Sequence, residues 1–420
     1  MIDFRNKKVT VLGLARSGFA CAQLLKELGA LVFVSEKEEN QQKKELAIAL
    51  KKLLIDCELG RHTRSIIENS DYIVLSPGIP LFAMPVVWAT KKNIPIIGEI
   101  EVAYQVCHST IIAITGTNGK STVTTLVGEV IKEAGKKVFV GGNIGTPFCS
   151  FVAQTKLEDY ISLEVSSFQL ETIKEFRPKI SVILNITPDH LDRYKSLEEY
   201  LQAKKRIFMN QEQNDFLILN KDDQLLVPLA KETRAKVLFF SAADGDVNQK
   251  LNLNQLAVLK VAKALGISED ICFKVFKNFR GIEHRLEFVR EIDGVEFIND
   301  SKATNVDSVR WALQNINKSI ILLAGGRDKG ADFSLIKDLV SKKVKAMILF
   351  GEAAEKMEKA FRDSVDILMA KDIQDATEKA FRLAKRGDCV LLSPMCASFD
   401  MFNDYQHRGR VFKEIVAQVK

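Results

Sequence analysis

The segment Ile111–Leu126, IIAITGTNGKSTVTTL, combines residue types that bind nucleotide phosphates. Gly116 and Gly119 allow main-chain amides to approach phosphate oxygens, because glycine adopts conformations that other residues avoid. Lys120 offers a cation to the β- and γ-phosphates. The common G-x-x-x-x-G-K-[ST] motif would place its first glycine at Ile114. The spacing therefore predicts a shortened phosphate loop that leads from a strand into a helix.

Oxygen ligands for Mg²⁺ occur in the loop and after the next apolar runs. Ser121 follows the loop lysine directly, and its hydroxyl is a ligand of the kind that Mg²⁺ prefers. Glu164 ends the run ISLE, and Asp189, His190 and Asp192 follow the run ILNI. Solvated strand ends and a structural histidine also explain these residues, so the sequence leaves both interpretations open.

Two further patterns are less specific. Lys204 and Lys205, in LQAKKRIF, lie on a predicted helix beside apolar neighbours, and their spacing alone predicts a solvated helix face. The turn GLARSG has Ala15 in place of the middle glycine that lets a backbone approach a pyrophosphate. Ala15 disfavours NAD binding, but the following helix N-terminus still suits another diphosphate. A plain strand–turn–helix corner is the alternative.

Three series of short apolar runs and amphipathic segments must position these residues. The first contains KKVTVLGL, LVFVS and DYIVLSPGIP, and the second starts near Gly98 with STIIAIT, YISLEVSS, KISVILNITPDH and DFLILN. The third starts near HRLEFV and contains VEFINDSKATN, SIILLAGGRDKG, KAMILFG and DCVLLSPMCASFD. The alternation of strands and helices predicts parallel sheets, whose carboxyl ends gather ligands. We place three domains, with boundaries near residues 97 and 282.

The bulk composition limits the functional classes. The 420 residues are 46% hydrophobic and 27% charged with a net charge of +6, which fits several globular domains. Lysines form only short groups at helical spacing, so nucleic-acid binding is not expected. The seven cysteines include no C-x-x-C pair, and the sequence shows neither a signal peptide nor an apolar run of about 20 residues. We therefore expect a cytoplasmic protein with reduced thiols.

The strings TGTNGKST, LEVSSFQLE and NITPDHLDRY together resemble the Mur ligase family over essentially the whole chain. NDSKATN, LLAGGRDKG and LSPMCASFDMF are similar to the branch of that family that adds D-glutamate. The resemblance implies an α/β fold of three-domain Mur ligase architecture, with Rossmann-like N- and C-terminal domains around a central P-loop-type ATP-binding domain. Residues 1–97 would bind the UDP-substrate, residues 98–281 would bind ATP, and residues 282–420 would bind the amino acid and close over ATP.

The same resemblance implies a reaction of peptidoglycan precursor synthesis. ATP phosphorylates the carboxylate of UDP-N-acetylmuramoyl-L-alanine, and the amine of D-glutamate then attacks the acyl phosphate, with release of ADP and phosphate. A carboxylate needs such a leaving group, and metal and lysine charges must neutralise the reactants. Two Mg²⁺ sites and a carbamylated lysine are implied as well. We expect a monomer that binds neither nucleic acid nor a membrane.

The likeness also implies roles for individual residues at the matching positions. The implied catalytic residues are Lys120, Glu164, His190 and Lys204. The implied metal ligands are Ser121, Glu164, His190 and Lys204 as a carbamate. The implied ATP-binding residues are Gly116, Thr117, Asn118, Gly119, Lys120, Ser121, Thr122, Asn254, Arg285 and Asp300. The implied UDP-substrate residues are Arg16, Ser17, Ser35, Glu36, Ser76, Gly78 and Asn143. The implied D-glutamate residues are Lys302, which also assists with phosphate, Thr304, Lys329, Ser398 and Tyr405.

One departure from the family pattern concerns the adenine side of the ATP site. The usual glycine-His-Asn run is absent from GDVNQKLNLNQLAVLK, where Asn254 matches the second asparagine by its distance from Ala257. A sibling Mur ligase or a folylpolyglutamate synthase-like amino-acid ligase is the alternative enzyme, and a non-catalytic nucleotide-binding paralogue is a further alternative. The paralogue is disfavoured by the presence of Lys120, Glu164, His190, Lys204, Arg285, Asp300 and Lys329.

Overall fold

The computed structural model describes residues 2–190, 193–244 and 251–419. These residues form three sheets flanked by helices, which confirms the predicted α/β class. The chain divides into two compact units, one built from Met1–Ile186 and Glu198–Phe279 and the other from Thr187–Leu197 and Arg280–Lys420. None of the helices in the described ranges has both the length and the apolar composition needed to cross a membrane.

The N-terminal sheet of the first unit is parallel throughout, in the order β3-β2-β1-β4-β5. Its strands are β1 Lys8–Leu12, β2 Leu31–Ser35, β3 Asp56–Glu58, β4 Tyr72–Leu75 and β5 Ile96–Gly98. Its helices are α1 Arg16–Glu27, α2 Gln41–Lys52, α3 Arg64–Glu68, α4 Met84–Lys91 and α5 Glu99–Tyr104. Because the strands are parallel, the turns after β1, β2, β3 and β4 lie on one edge of the sheet.

The second sheet of the first unit is also parallel, in the order β11-β10-β9-β6-β8-β7. Its strands are β6 Thr110–Thr115, β7 Val138–Gly142, β8 Tyr160–Glu164, β9 Ile180–Ile183, β10 Phe216–Asn220 and β11 Lys236–Phe240. The helices of this part are α6 Lys120–Glu133, α7 Ser167–Leu170, α8 Leu197–Lys205, α9 Leu253–Leu265 and α10 Glu269–Asn278. Helices α6, α9 and α10 cover one face, where Val127, Val258 and Cys272 join the core.

The sheet of the second unit has the order β12-β13-β17-β14-β15-β16 and is parallel except for the antiparallel edge pair β12 and β13. Its strands are β12 Glu287–Ile292, β13 Val295–Asn299, β14 Ile320–Gly325, β15 Val344–Phe350, β16 Asp366–Met369 and β17 Cys389–Met395. Its helices are α11 Val306–Asn315, α12 Lys337–Lys343, α13 Ala354–Phe361, α14 Ile373–Leu383 and α15 Tyr405–Gln418.

The central strands of this third sheet are buried on both faces. Every residue of β14 and of β17 is buried, which is the pattern of parallel strands covered by helices on two sides. Leu322 packs with Val309 in the core on one face, and Leu323 packs with Phe412 in the core on the other. Burial of each leucine side chain stabilises the fold by roughly 1.5–3 kcal/mol. The loops at the strand ends are therefore attached to well-packed strands. The domain boundaries near residues 97 and 282 stay a prediction.

Candidate active site

The shortened phosphate loop connects the end of β6 to the start of α6. Gly116 and Gly119 have φ angles of 146° and 85°, in the range that favours glycine. A Cβ at Gly116 would lie 3.0 Å from the Cβ of Leu184, and a Cβ at Gly119 would lie 2.5 Å from Oδ1 of Asn254. Both positions therefore require glycine, and the loop directs the first amides of the 14-residue α6 to one point.

Two lysines donate to main-chain carbonyls of this loop. Nζ of Lys120 lies 2.9 Å from the carbonyl oxygen of Gly116 and 2.8 Å from that of Thr117. Nζ of Lys204 lies 2.9 Å from the same Gly116 oxygen, and this residue is only 1% exposed. The solvated helix face predicted from spacing is therefore wrong for Lys204, because its side chain turns inward and lies over the ring of Tyr200.

Glu164, at the end of β8, connects two of the predicted sites. Its Oε2 accepts a hydrogen bond from Oγ of Ser121 at 2.5 Å, and its Oε1 accepts one from Nδ2 of Asn143 at 2.9 Å. The amide of Asn143 also donates to the carbonyl oxygen of Glu164 at 2.9 Å. A residue predicted to contact the UDP-substrate and a residue predicted to bind metal thus share one buried carboxylate.

The same region offers the ligand types that a phosphate-bound Mg²⁺ requires. The Ser121 hydroxyl and the Glu164 carboxylate are hard oxygen donors within hydrogen-bond distance of each other. Oγ1 of Thr122 is buried and has no hydrogen-bond partner in the described part of the chain. A phosphate oxygen at the loop would satisfy that hydroxyl. These residues therefore fit a divalent cation bound together with a nucleotide.

Asn185 holds the loop from the neighbouring strand, although the sequence did not reveal this role. Its Nδ2 donates to the carbonyl oxygen of Asn118 at 3.1 Å, and its Oδ1 accepts from the amide of Asn118 at 2.8 Å. Its own carbonyl oxygen accepts from the amide of Thr117 at 2.9 Å. The one available indication was that Asn185 follows a buried run of the same sheet.

The adenine side of the loop is described in part. Asn254 lies in the first turn of α9, which is capped by Asn252, and its Oδ1 is the atom closest to a Cβ at Gly119. This places the predicted residue beside the loop. Residues 245–250, which begin the segment GDVNQKLNLNQLAVLK, lie outside the described residues, as does Asp192.

A cavity of about 980 Å³ in the first unit lies at the carboxyl ends of the N-terminal strands. Six residues of the predicted UDP-substrate set line it, namely Arg16, Ser17, Glu36, Ser76, Gly78 and Asn143. Cavities of this size hold ligands larger than a simple metabolite. The first turn of α1 forms part of the wall, and a helix N-terminus suits a diphosphate.

Glu36 contacts the turn between β1 and α1. Its Oε2 accepts from the amide of Leu14 at 2.7 Å and from Nζ of Lys43 at 2.8 Å. Nζ of Lys43 also donates to the carbonyl oxygen of Leu14 at 2.7 Å. Burial raises the pKa of Glu36, but the hydrogen bonds from Glu38, Lys43 and Leu14 outweigh burial and leave the pKa below its usual value. Lys43, which lines the cavity, was not predicted from the sequence.

Ser35 lies beneath the cavity wall, where it is fully buried. Its Oγ donates to Oε1 of Glu58 at 2.7 Å and lies 2.7 Å from Nδ1 of His62. Burial raises the pKa of Glu58, but hydrogen bonds from Thr63 and Ser35 outweigh burial and lower it. Burial lowers the pKa of His62. His62 lines the cavity in place of Ser35, and only the adjacency of β2 and β3 could have indicated it.

The second unit contains a cavity of about 440 Å³, lined by the predicted residues His190, Thr304 and Lys329. Nζ of Lys329 lies 2.7 Å from Oδ1 of Asp189, and Nδ2 of Asn305, the N-cap of α11, lies 3.0 Å from Oδ2. Burial would raise the pKa of Asp189, but the charges of Lys329 and His190 hold it well below its usual range. Asp189 therefore fixes the position of the lysine in this cavity.

Asp300, directly after β13, is buried in the same unit. Its Oδ2 accepts from Oγ of Ser393 at 2.8 Å, and its Oδ1 accepts from the amide of Leu286 at 3.2 Å. Burial raises the pKa of Asp300 to about 6, although the charge of Arg285 and these hydrogen bonds oppose the rise. Nε of Arg285 is buried and has no hydrogen-bond partner among the described residues, so it remains able to bind an anion.

Arg408, in α15, connects the other predicted residues of this unit. Its fully buried guanidinium donates to the carbonyl oxygen of Ser301 at 2.8 Å and to Oγ of Ser301 at 3.0 Å. That hydroxyl donates to the carbonyl oxygen of Tyr405 at 2.8 Å, and Nζ of Lys302 lies 5.2 Å from the Tyr405 ring. Burial lowers the pKa of Arg408 to about 10. Ser398 is buried nearby in the chain, after β17.

Family models match the three successive parts of the chain. The Mur ligase MurD-like N-terminal domain matches residues 7–98, the Mur ligase middle domain matches residues 114–276, and the Mur ligase glutamate ligase domain matches residues 284–396. The chain therefore belongs to the Mur ligase family, which confirms the resemblance seen in its motifs.

Curated relatives are similar over their full length. A UDP-N-acetylmuramoylalanine–D-glutamate ligase from Thermoanaerobacter sp. (strain X514) is 42% identical over 453 residues, which cover 100% of both chains. The enzyme of that name from Koribacter versatilis (strain Ellin345) is 41% identical over 449 residues, which cover 100% of this chain and 99% of the relative.

Solved structures of the family share the fold at lower identity. The UDP-N-acetylmuramate-alanine ligase MurC from Thermotoga maritima has a TM-score of 0.63 and 18% identity, covering 99% of this chain and 100% of that one. A MurF ligase from Thermotoga maritima in complex with ADP has a TM-score of 0.61 and 15% identity, covering 99% and 96%. These likenesses, with the family models, confirm the three-domain Mur ligase architecture.

Proposed function

We propose that this chain is an ATP-dependent ligase that adds D-glutamate to UDP-N-acetylmuramoyl-L-alanine during peptidoglycan precursor synthesis. The observation that carries the proposal is the 41–42% identity over the full length to curated ligases with this activity in their names. The contacts around the phosphate loop and in the two cavities support it. We also propose that the protein acts in the cytoplasm as a monomer, without a nucleic-acid or membrane partner.

In the first step, the substrate carboxylate attacks the γ-phosphorus of ATP, the bond to the bridging oxygen breaks, and ADP leaves. Lys120 would bind the β- and γ-phosphates, because its Nζ lies at the loop and can exchange carbonyl contacts for phosphate oxygens. The loop amides and the hydroxyl of Thr122 add further donors. A donor aimed at charge that develops in the transition state contributes a rate factor of about 10²–10³.

Ser121 and Glu164 are the ligands that we propose for a Mg²⁺ bound with ATP. Bound there, the cation would neutralise phosphate charge and ease the approach of the negatively charged carboxylate. Glu164 also accepts a hydrogen bond from Asn143, which lines the substrate cavity. One carboxylate would therefore align the nucleotide with the UDP-substrate.

His190 and Lys204 stay proposed ligands of a second Mg²⁺, with Lys204 as a carbamate. Carbamylation requires the amine to lose its proton and to react with CO₂, which converts a cation into an oxygen ligand. The burial of Lys204 supports the proposal, because desolvation disfavours the charged form of an amine.

In the second step, the neutral amine of D-glutamate attacks the acyl carbonyl, the tetrahedral adduct collapses with cleavage of the bond to phosphate, and the proton lost by nitrogen leaves with the phosphate. Lys329 would bind a carboxylate of D-glutamate, held in place by its 2.7 Å contact with Asp189. Hydroxyls of Thr304 and Ser398 would add donors, and a cation with several donors suits a diacid. Further proposed contacts are Lys302 and Tyr405 for D-glutamate and Asn254, Arg285 and Asp300 for ATP.

Release of ADP and phosphate across a panel of amino acids tests this proposal. With ATP, Mg²⁺ and UDP-N-acetylmuramoyl-L-alanine present, we expect release only when D-glutamate is added, together with a product whose mass has gained one glutamyl residue. L-Glutamate, L-alanine, L-lysine and meso-diaminopimelate are the parallel controls, and a folate acceptor tests the alternative ligase. Robust release with another amino acid and none with D-glutamate would overturn the substrate assignment.

A further inference from the structure

His62 lines the substrate cavity, and one of its two ring nitrogens, Nδ1, forms a hydrogen bond within the described part of the chain. Nδ1 lies 2.7 Å from Oγ of Ser35, and no hydrogen-bond partner of Nε2 occurs within residues 2–190, 193–244 and 251–419. Because the two nitrogens diverge around the ring, Nε2 is directed away from Ser35. The residue lines the cavity, whereas Ser35 lies beneath the wall.

The hydrogen bonds below His62 fix its tautomer. Oγ of Ser35 donates its single proton to Oε1 of Glu58 at 2.7 Å, and Glu58 is an ionised acceptor that also receives two bonds from Thr63. The Ser35 oxygen can therefore only accept from His62, so Nδ1 carries the ring proton. Burial lowers the pKa of His62 and keeps the ring neutral at pH 7. Nε2 is consequently a hydrogen-bond acceptor.

The position of His62 in the sheet corresponds to the base end of a bound nucleotide. The turn after β1 suits the diphosphate. In the sheet, β2 lies beside β1 and β3 forms the edge beyond β2, and His62 follows the end of β3. Adjacent strands are about 4.8 Å apart, so His62 follows a strand roughly 10 Å from the diphosphate turn. In dinucleotide-binding sheets the diphosphate lies at the first turn and a residue about 20 positions further on contacts the ribose, so a base would lie further outward, toward β3.

Ser35 and Glu36, which the sequence suggested for the UDP-substrate, already form hydrogen bonds within the protein. The Ser35 proton is bound to Glu58, and Glu36 accepts from Leu14 and from Lys43. We infer that His62 determines the base specificity of the UDP-substrate site, with Nε2 accepting the N3–H of uracil. Cytosine has a lone pair at N3, which would face the lone pair of Nε2. The inference rests on the proposed function for the identity of the ligand.

Calorimetric binding of nucleoside diphosphates to the intact wild-type chain is the first test. We expect UDP to bind about 10- to 100-fold more tightly than CDP and 3-methyl-UDP, because both analogues lack the N3–H donor and leave a polar group unsatisfied. We expect replacement of His62 to lower the affinities for UDP and 2′-deoxy-UDP by the same factor, because the contact is to the base.

Two variants then assign the discrimination to one residue. His62→Phe should bring the UDP-to-CDP affinity ratio to within about threefold of unity, with little change in CDP affinity, because the acceptor is lost and the ring shape is kept. The matched control is His108→Phe, which alters an exposed histidine of the same unit and should leave the ratio unchanged. A folding defect would lower both affinities together, so the ratio separates recognition from stability.

The outcomes distinguish this inference from the proposed function. A wild-type chain that binds UDP, CDP and 3-methyl-UDP alike, or a His62→Phe variant with an unchanged ratio, overturns the role of His62 alone. If wild type binds 2′-deoxy-UDP more weakly than UDP, and His62→Phe binds the two alike, Nε2 contacts the ribose. That result would also overturn the base contact. A wild-type chain that binds none of the nucleotides overturns the inference, whereas the proposed function is decided separately by the D-glutamate-dependent release of ADP.

Discussion

The lysines at the phosphate loop and the lysines of the two cavities can be compared through the contacts that hold them. Lys120 and Lys204 both donate to the carbonyl oxygen of Gly116, at 2.9 Å in each case. A carbonyl is a neutral acceptor, and a lysine can exchange it for a phosphate oxygen at the modest net cost of about 0.5–1.5 kcal/mol for one hydrogen bond. Lys120 can therefore follow charge as it moves during phosphoryl transfer, whereas Lys204 is the residue proposed to become a carbamate.

The cavity lysines form ion pairs with buried carboxylates. Lys43 lies 2.8 Å from Glu36, and Lys329 lies 2.7 Å from Asp189. Removing one member of a buried pair costs about 3–5 kcal/mol, so these lysines stay in fixed positions. We therefore expect substitutions in the loop to change the rate and substitutions in the cavities to change substrate affinity.

The largest effect is expected at the loop. Lys120→Ala should lower kcat by about 10²–10³-fold and leave the KM for the UDP-substrate within about twofold, because the lost cation acts on transition-state charge. Steady-state kinetics of ADP release would measure both constants. Lys132→Ala, at an exposed position in the last turn of the same helix, is the matched control and should behave as wild type. A Lys120→Ala enzyme with full turnover would show that Lys120 does not stabilise the transition state.

The next largest effect is expected in the cavity of the second unit. Lys329→Met should raise the KM for D-glutamate by about 10- to 100-fold, because a charge-assisted hydrogen bond to the ligand carboxylate is lost. The KM for UDP-N-acetylmuramoyl-L-alanine should stay near the wild-type value. Lys342→Met alters an exposed lysine of the same unit and serves as control. An unchanged KM for D-glutamate would remove Lys329 from the glutamate site.

A smaller effect is expected at the turn beside the larger cavity. Lys43→Met removes the hydrogen bonds from Lys43 to the Glu36 carboxylate and to the Leu14 carbonyl oxygen. The KM for the UDP-substrate should therefore rise about tenfold, while kcat changes by less than about threefold. Lys44→Met changes the exposed neighbour in the same helix and should have no effect. A fall in kcat with unchanged KM would show that Lys43 belongs with the rate-determining lysines instead.

The smallest effect concerns the dependence of stability on pH. Two buried carboxylates should differ here: Asp189 pairs with Lys329, whereas Asp300 accepts hydrogen bonds from Ser393 and Leu286. The folded pKa of Asp300 is about 6 against the ordinary 3.8, so its contribution to stability falls as pH rises through this window. The stability of Asp300→Asn relative to wild type should therefore increase between pH 4 and pH 7, by on the order of 1–3 kcal/mol.

Asp189 should show the opposite dependence on pH. Its folded pKa is depressed, so its stabilising contribution is present above the ordinary value of 3.8 and is lost as pH falls below it. Asp189→Asn should be more destabilising at pH 7 than at pH 3, which lies below the ordinary value. Thermal unfolding of wild type and Asp300→Asn at pH 4 and pH 7, and of wild type and Asp189→Asn at pH 3 and pH 7, tests the pair, and differences that do not vary with pH would contradict it.

Local patterns predicted much of the fold, because buried runs and following polar turns are encoded within a few residues. The glycine loop, the end of β8 and the turn after β13 were recognisable in this way. Strands β3 and β5 were missed because each has only three residues, and β11 and β16 were missed as well. The antiparallel direction of β12 depends on pairing with β13, which a single segment does not show.

The site residues that escaped prediction act through contacts distant in sequence. Asn185 reaches the loop from the next strand, and His62 reaches the cavity because β3 pairs with β2. Arg408 belongs to no motif that would single it out in the sequence, yet it is fully buried against Ser301. In each case the informative fact is which strands and helices are neighbours, and that fact follows from the assembled sheet.

Transfer of oxygen-18 tests the central claim, that the phosphate loop activates a carboxylate by phosphorylation, most directly. UDP-N-acetylmuramoyl-L-alanine labelled with oxygen-18 in its carboxylate is incubated with the chain, ATP, Mg²⁺ and D-glutamate, and the released phosphate is analysed by mass spectrometry. We expect each released phosphate to carry one oxygen atom from the substrate carboxylate. Product formation with unlabelled phosphate would contradict it.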